Sequence, residues 1–113
     1  MGVVTQLGSA EITISELPTE RVLLDVREND EWAAGHAPDA VHIPMSELAE
    51  RLDDLPDGSP LYVICRSGGR SERVTQYLNA NGWDAVNVLD GMSGWIRLGL
   101  PLVADSGATP EVI

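Results

Sequence analysis

The sequence has little cysteine and no lysine at all. One cysteine, Cys65, stands among 113 residues, and every basic side chain is an arginine. The absence of lysine excludes chemistry through a lysine Schiff base. A single cysteine excludes an intramolecular disulfide, a Cys-x-x-Cys redox pair and a cysteine-rich zinc site, and two histidines add no convincing metal-ligand set. We therefore expect no metal site.

Positive charge is scarce too. Seven arginines stand against eighteen acidic residues, which gives a formal net charge of −11. A chain this acidic repels the phosphate backbone of nucleic acids and anionic lipid surfaces, so we expect neither as a partner. The sequence begins without the basic and apolar regions of a signal peptide, and no apolar run is long enough to cross a bilayer. We expect a cytoplasmic protein.

The basic residues that are present are unevenly placed. Residues 1–57 hold 13 acidic residues and 3 arginines, whereas Arg66, Arg70 and Arg73 fall within eight residues of one another. A local basic cluster in an acidic chain indicates a site for a small anion. The length is that of one domain, and we expect a lead-in at 1–9, a domain at 10–103 and a flexible tail at 104–113.

Strand and helix patterns alternate along the chain. Short apolar runs predict strands, and amphipathic segments between them predict helices. The predicted strands are 22–26, 41–43, 61–64 and 85–89 with an edge strand at 11–13. The predicted helices are a short one after Asn29 or Asp30 that stops at Gly35, and three more at 46–55, 69–81 and 92–98. This order is typical of an α/β fold, with a parallel sheet covered by helices on both faces.

Residue patterns set the expected ends and faces of these helices. Asn29 or Asp30 is the expected cap of the first helix, and Ser46 of the second. The expected inward side chains are Leu48, Leu52 and Leu55 in the second helix and Val74, Tyr77 and Leu78 in the third.

The segment after the third long strand has the composition of a reactive loop. Cys65 ends a buried strand, and Gly68 and Gly69 lead directly into a helix. Such a turn directs successive backbone N–H groups inward as an anion cradle, and a thiol there has a lowered pKa. Arg66 and Arg70 are expected to add positive potential at its mouth. The alternative is that Cys65 is a small buried hydrophobe, which does not explain the glycines and arginines.

Four sequence motifs are spaced along the chain. They are Leu24-Asp25-Val26-Arg27-Glu28, Gly35-His36-Ala37-Pro38-Asp39-Ala40-Val41-His42-Ile43-Pro44, Cys65-Arg66-Ser67-Gly68-Gly69-Arg70-Ser71, and the spaced set Gly91, Trp95, Gly99 and Pro101. In their order and spacing, over about residues 10 to 103, these motifs resemble the single-domain rhodanese family of sulfurtransferases.

The resemblance implies a five-stranded, mostly parallel sheet and a Cys65 that carries a persulfide, with no organic cofactor. Cys65 would take sulfane sulfur from an anionic donor such as thiosulfate and pass it to a thiol or cyanide. The substrate-binding residues implied are Arg66, Ser67, Gly68, Gly69 and Arg70. Residues that line the pocket or support it are expected to be Ser71, Asp25, Arg27 and Trp95.

Alternatives remain at the level of the reaction. The domain could be a sulfur carrier or docking module fed by a sulfur-relay protein, or a thiol redox sensor. Phosphatase or arsenate-reductase activity is a less favoured alternative: dual-specificity phosphatases of the same fold have a Cys-x5-Arg loop, whereas Arg70 here completes Cys-x4-Arg. The shorter loop fits a single outer sulfur better than a tetrahedral phosphate.

Other conspicuous residues are interpreted as structural. His36 is expected to be a scaffold residue and His42 a strand histidine, and Asp25 with Arg27 a structural ion pair. The sequence departs from the family pattern at four positions, none of which is expected to touch the cysteine loop. They are Asn29, Ala37, Asp39 and Asp90.

Overall fold

Five parallel strands form one sheet in the computed structural model, which describes residues 10–113. The predicted lead-in, 1–9, lies outside the described residues. The strands are β1 (Glu11–Ile12), β2 (Val22–Asp25), β3 (Val41–His42), β4 (Leu61–Ile64) and β5 (Ala85–Val88). Their order is β1-β5-β4-β2-β3, and each neighbouring pair is parallel. The α/β class and the parallel sheet are confirmed.

Alternation along the central strands builds a core on each face of the sheet. Leu24 and Val63 point to one face and Leu23 and Ile64 to the other, because successive strand side chains alternate. The register pairs Leu24 with Val63, so apolar side chains of β2 and β4 lie side by side. All four side chains are fully buried.

Within residues 10–113, three α-helices accompany the sheet. They are α1 (Asn29–Ala34), α2 (Gly69–Ala80) and α3 (Gly91–Arg97). On the face that carries Leu24, α2 contributes Val74 and Leu78 to the core. On the opposite face, α3 contributes Met92 and Trp95. Helices on both faces are therefore confirmed.

Tyr77 does not point inward as predicted. Its side chain is 39% exposed, while Val74 and Leu78 are buried. The buried positions of α2 are 71, 74, 75 and 78, a stripe of spacing i, i+3, i+4 and i+7. Tyr77 lies beside this stripe.

The predicted helix over 46–55 is wrong in type. The chain instead forms two 3₁₀ helices, Met45–Glu50 and Leu52–Asp54, separated by Arg51. Pro44 rather than Ser46 precedes the first, and the Ser46 hydroxyl donates to Glu28. Asp53 and Asp54 would place negative charge at the C-terminal end of an α-helix, where the helix dipole disfavours it.

The cap of α1 also differs from the prediction. Glu28, not Asn29 or Asp30, is the N-cap residue. The backbone N–H of Glu28 donates to Glu31 Oε1 at 3.0 Å, which satisfies one donor at the helix start. Glu31 is thereby fixed in the first turn of α1.

The segment 104–113 lies against α1. The backbone N–H of Asp105 donates to the Ala33 carbonyl and that of Glu111 to the Ala34 carbonyl, at 3.2 and 2.9 Å. Val103 and His36 pair just before it as an antiparallel bridge. The flexibility predicted for this segment stays a prediction.

Candidate active site

Cys65 stands at the carboxyl end of β4, in the tight turn that leads into α2. Its side chain is buried, with 1% of the residue exposed. Gly68 adopts a φ of +115°, a region that favours glycine, and its N–H donates to Cys65 Sγ at 3.1 Å. Ser67 and Gly69 lie beside it in the same turn and are exposed. The turn thus directs backbone N–H groups at the sulfur.

Hydrogen bonding decides the acidity of the Cys65 thiol. Burial alone raises its pKa, because it disfavours the charged thiolate. The Ser71 hydroxyl and the backbone N–H groups of Ser71, Gly68 and Ser67 act in the opposite direction and outweigh burial. The pKa of Cys65 is lowered from 9.0, which favours the nucleophilic thiolate.

The Ser71 hydroxyl lies between Cys65 Sγ and the buried side-chain amide of Asn87, a residue that the sequence analysis did not identify. Its Oγ lies 3.3 Å from Cys65 Sγ and 2.5 Å from Asn87 Oδ1. A hydroxyl has one hydrogen, so it donates to one of the two at a time. The other end of the Asn87 amide donates to the Gly68 carbonyl at 3.3 Å. The only sequence signal for Asn87 is a polar residue within an otherwise apolar strand.

Both arginines of the loop have partners. Arg70 donates to the two carboxylate oxygens of Glu31, with Nη1–Oε1 at 2.7 Å and Nη2–Oε2 at 2.8 Å. Arg66 donates from Nε to the main-chain oxygen of Ile113 at 2.8 Å. The expected positive potential at the mouth is therefore reduced at Arg70 by the carboxylate of Glu31.

The start of α3 supports the loop from the side. The N–H groups of Met92 and Ser93 donate to the carbonyls of Cys65 and Arg66 at 2.8 and 2.9 Å. Gly91 has no room for a side chain, since a Cβ there would overlap the Cys65 carbonyl oxygen. Asp90 precedes Gly91, and its backbone nitrogen lies 3.7 Å from where a Cβ on Gly68 would stand. That Asp90 does not touch the loop stays a prediction.

Comparison with known proteins identifies the family. The family model described as "Rhodanese-like domain" matches residues 9–98. The chain belongs to the rhodanese-like family.

Relatives of this rhodanese-like chain are named as sulfurtransferases. The putative sulfurtransferase YtwF of Bacillus subtilis is 44% identical over 80 residues, which cover 71% of this chain and 78% of that protein. A protein of Allochromatium vinosum named sulfurtransferase is 37% identical over 106 residues, covering 92% and 99%. A crystal structure of a rhodanese-related protein from Thermoplasma volcanium superposes with a TM-score of 0.79 at 32% identity, covering 85% and 99%. The rhodanese-like fold is thus confirmed.

In this rhodanese-like domain, Asp25 and Arg27 form a buried pair between the end of β2 and α1. Both side chains are fully buried and form an ion pair with Arg27 Nη2 2.7 Å from Asp25 Oδ2. Arg27 also donates to the carbonyls of Gly35 and Glu31, at 2.7 and 3.3 Å. These bonds tie α1 to the end of β2 and so help to place Glu31.

Trp95 lies away from the cysteine loop. It belongs to the core on the face opposite Cys65, and its indole N–H donates to the Pro101 carbonyl at 2.8 Å. The Arg21 guanidinium stands 5.3 Å from its ring centroid. Its position is that of structural support for α3.

The two histidines have structural contacts. Trp32 stacks between them, with ring centroids 3.6 Å from His36 and 4.6 Å from His42. His36 Nδ1 lies 2.7 Å from the Trp32 carbonyl, and His42 Nε2 lies 2.7 Å from the Arg27 carbonyl. Asp39, another departure from the family pattern, pairs with Arg21 at 3.0 Å near the surface.

Residues 10–113 contain neither a cluster of metal ligands nor a membrane-spanning helix. In that range no group of three or more His, Cys, Asp or Glu side chains is arranged to hold a metal ion. No helix there combines the length and apolar character required to span a membrane.

Proposed function

We propose that this rhodanese-like domain transfers sulfane sulfur through a persulfide on Cys65. The observation that carries the proposal is the environment of Cys65 Sγ. It is buried at the carboxyl end of β4, faces N–H groups of its own turn, and belongs to a thiol whose pKa is lowered. Ligand sites of open parallel sheets lie at this edge, which further supports the assignment.

In the first half-reaction, the Cys65 thiolate attacks the outer sulfur of a donor such as thiosulfate. A sulfur–sulfur bond forms to Cys65 as the donor's own sulfur–sulfur bond breaks, and sulfite leaves with the bonding electron pair. The persulfide keeps the negative charge on its outer sulfur. Backbone N–H groups of residues 66–70 are the donors we assign to that sulfur, as in other anion cradles.

In the second half-reaction, a nucleophilic acceptor removes the outer sulfur. Cyanide attacks through carbon, which gives thiocyanate and restores the Cys65 thiolate; a cellular thiolate attacks in the same way and becomes a persulfide. Arg66, Ser67, Gly68, Gly69 and Arg70 form the rim at which donor and acceptor meet in this proposal, with Ser71 supporting the thiolate from within.

A sulfur carrier that loads without steady turnover is the second candidate. A relative from Bacillus subtilis is named a putative sulfur carrier protein. A small anionic donor and a sulfur-relay protein are alternative sources of the same persulfide. The two candidates share Cys65 and differ in whether the acceptor step repeats with free small molecules.

Steady-state kinetics with thiosulfate and cyanide test the enzyme proposal. We expect thiocyanate formation with parallel lines in double-reciprocal plots, because the donor product leaves before the acceptor binds. Cys65→Ser should lose turnover by at least about 1,000-fold and melt within a few degrees of the wild type. Turnover retained by Cys65→Ser would overturn the mechanism, and a single loading event without turnover would favour the carrier.

A further inference from the structure

Arg70 is close enough to Cys65 for their charges to interact, and Arg70 is itself paired with a carboxylate from another helix. Arg70, in the first turn of α2, binds both carboxylate oxygens of Glu31, in the first turn of α1, at 2.7 and 2.8 Å. The side chains are 27% and 15% exposed, so the pair is shielded from solvent for the most part. A bidentate pair of this kind fixes the guanidinium in orientation as well as in charge.

Glu31 is held in place independently of Arg70. Its Oε1 accepts the N–H of Glu28 at 3.0 Å, and its carbonyl accepts from the buried Arg27 at 3.3 Å. The hydrogen bonds from Arg70 are the main reason that the pKa of Glu31 is lowered from 4.5 to about 2. Glu31 is therefore negative at every pH at which a thiolate reacts. Protonation of Glu31 does not release Arg70 from the ion pair in that pH range.

We propose that Glu31 determines donor specificity by offsetting the charge of Arg70, so that the site favours monoanionic sulfane-sulfur donors over dianionic thiosulfate. The inference rests on the proposed persulfide chemistry of Cys65. With Glu31 ionised, the Glu31–Arg70 pair has no net charge beside a thiolate that is itself negative. The thiolate then repels each additional negative charge on a donor. Without Glu31, the positive charge of Arg70 would offset this repulsion.

Two donors of nearly the same shape separate charge from size. Thiosulfate is a dianion, and methanethiosulfonate is a monoanion in which a methyl group replaces one oxygen. Both give their outer sulfur to the Cys65 thiolate as a sulfur–sulfur bond breaks. The electron pair leaves with sulfite in one case and with methanesulfinate in the other, so the persulfide formed is the same.

The experiment compares kcat/KM for the two donors with cyanide as acceptor. Glu31→Gln keeps an oxygen that accepts the Glu28 N–H but removes the charge. We expect the ratio of thiosulfate to methanethiosulfonate kcat/KM to rise about fivefold, mainly through a lower thiosulfate KM. Asp30→Asn is the matched control, because it removes the same charge from an exposed position on the same helix; its ratio should stay within about twofold of the wild type.

Two more variants complete the design. Glu31→Asp retains the charge and should keep the ratio near the wild-type value. Arg70→Ala leaves Glu31 without its partner and should lower the ratio below the wild-type value, which also provides the test if Glu31→Gln melts below the assay temperature. These opposite signs would not arise if Glu31 acted only on the stability of α1.

Each result decides the matter in one direction. A rise for Glu31→Gln with none for Asp30→Asn supports the assignment, as does a fall for Arg70→Ala. If the kcat/KM ratio is unchanged in Glu31→Gln while both donors still load Cys65, the role of Glu31 is overturned and the proposed function stands. If neither donor loads Cys65 in the wild type, the proposed function fails and the inference fails with it.

Discussion

At the scale of single residues, burial has the largest effect on the pKa of Cys65 and raises it, and the Ser71 hydroxyl is the strongest of the groups that lower it. Ser71 is buried in α2, and its single hydroxyl hydrogen has two acceptors, Cys65 Sγ at 3.3 Å and Asn87 Oδ1 at 2.5 Å. The hydroxyl lowers the pKa of Cys65 because its hydrogen bond to the charged thiolate is stronger than its hydrogen bond to the neutral thiol. Asn87 Oδ1 is therefore the acceptor that competes with the Cys65 thiolate for this hydrogen.

Ser71→Ala should raise the pKa of Cys65 towards its ordinary value. Loss of a hydrogen bond to a charged acceptor reduces the thiolate population about tenfold or more. At a pH below the pKa of Cys65, alkylation of the thiol by iodoacetamide should therefore slow about tenfold. The acidic limb of the rate against pH should move to higher pH. Ser67→Ala is the control, because Ser67 acts on the sulfur through its backbone N–H, which alanine keeps. Identical pH profiles for the two variants would contradict the role of the Ser71 hydroxyl.

The residues that the sequence could identify are those whose function is local. Cys65 and Gly68 were predicted because a strand end, a glycine turn and a helix start are adjacent in the chain. Glu31 and Asn87 were not predicted, because their partners are distant in the chain. Glu31 contacts Arg70, 39 positions away. Asn87 contacts Ser71 and Gly68, 16 and 19 positions away. No local pattern specifies a partner at that separation.

At the scale of elements, the loop depends on α3 as much as on its own sequence. Met92 and Ser93 bind the carbonyls of Cys65 and Arg66, and the backbone of Gly91 lies against the loop. The chain reaches this position through a left-handed turn, with φ of +66° at Asp90 and +53° at Gly91. A glycine is required at 91 for its lack of a side chain as well as for its conformation.

Gly91→Ala should disturb the loop and destabilise the fold by about 2 kcal/mol, the usual scale of overpacking. Gly99→Ala provides the matched control, because Gly99 is also left-handed at φ +70° but has open space around it. That variant should lose about 1 kcal/mol, from backbone strain alone, and keep sulfur transfer. Urea unfolding and thiocyanate assays measure the two effects. Full activity in Gly91→Ala would show that α3 does not support the loop.

The elements that were predicted incorrectly are those with competing local signals. Leucine spacing favours an α-helix over 46–55, but Pro44 begins the segment and the backbone of Arg51 leaves the helical region, with φ of −123° and ψ of +29°. The strands, by contrast, consist of short apolar runs with no competing pattern. Their positions were predicted closely for that reason.

At the scale of the whole molecule, the parallel sheet brings remote segments to one edge. β4 lies between β2 and β5, so the chain after β2 and the chain after β5 both flank Cys65. The first carries α1 with Glu31, and the second carries α3 with Gly91. The alternation of strands and helices predicted a sheet covered by helices on both faces. It does not specify the order of the strands in the sheet, and this order is what brings α1 and α3 beside the cysteine loop.

The central claim is that Cys65 becomes a persulfide, and intact-mass spectrometry tests it directly. The wild-type chain is measured before and after brief incubation with thiosulfate, beside Cys65→Ser. We predict a gain of one sulfur, about 32 Da, in the wild type alone, removed again by cyanide, as a covalent intermediate requires. Methanethiosulfonate serves as a second donor. An unchanged wild-type mass with both donors, or an equal gain in Cys65→Ser, would contradict the account.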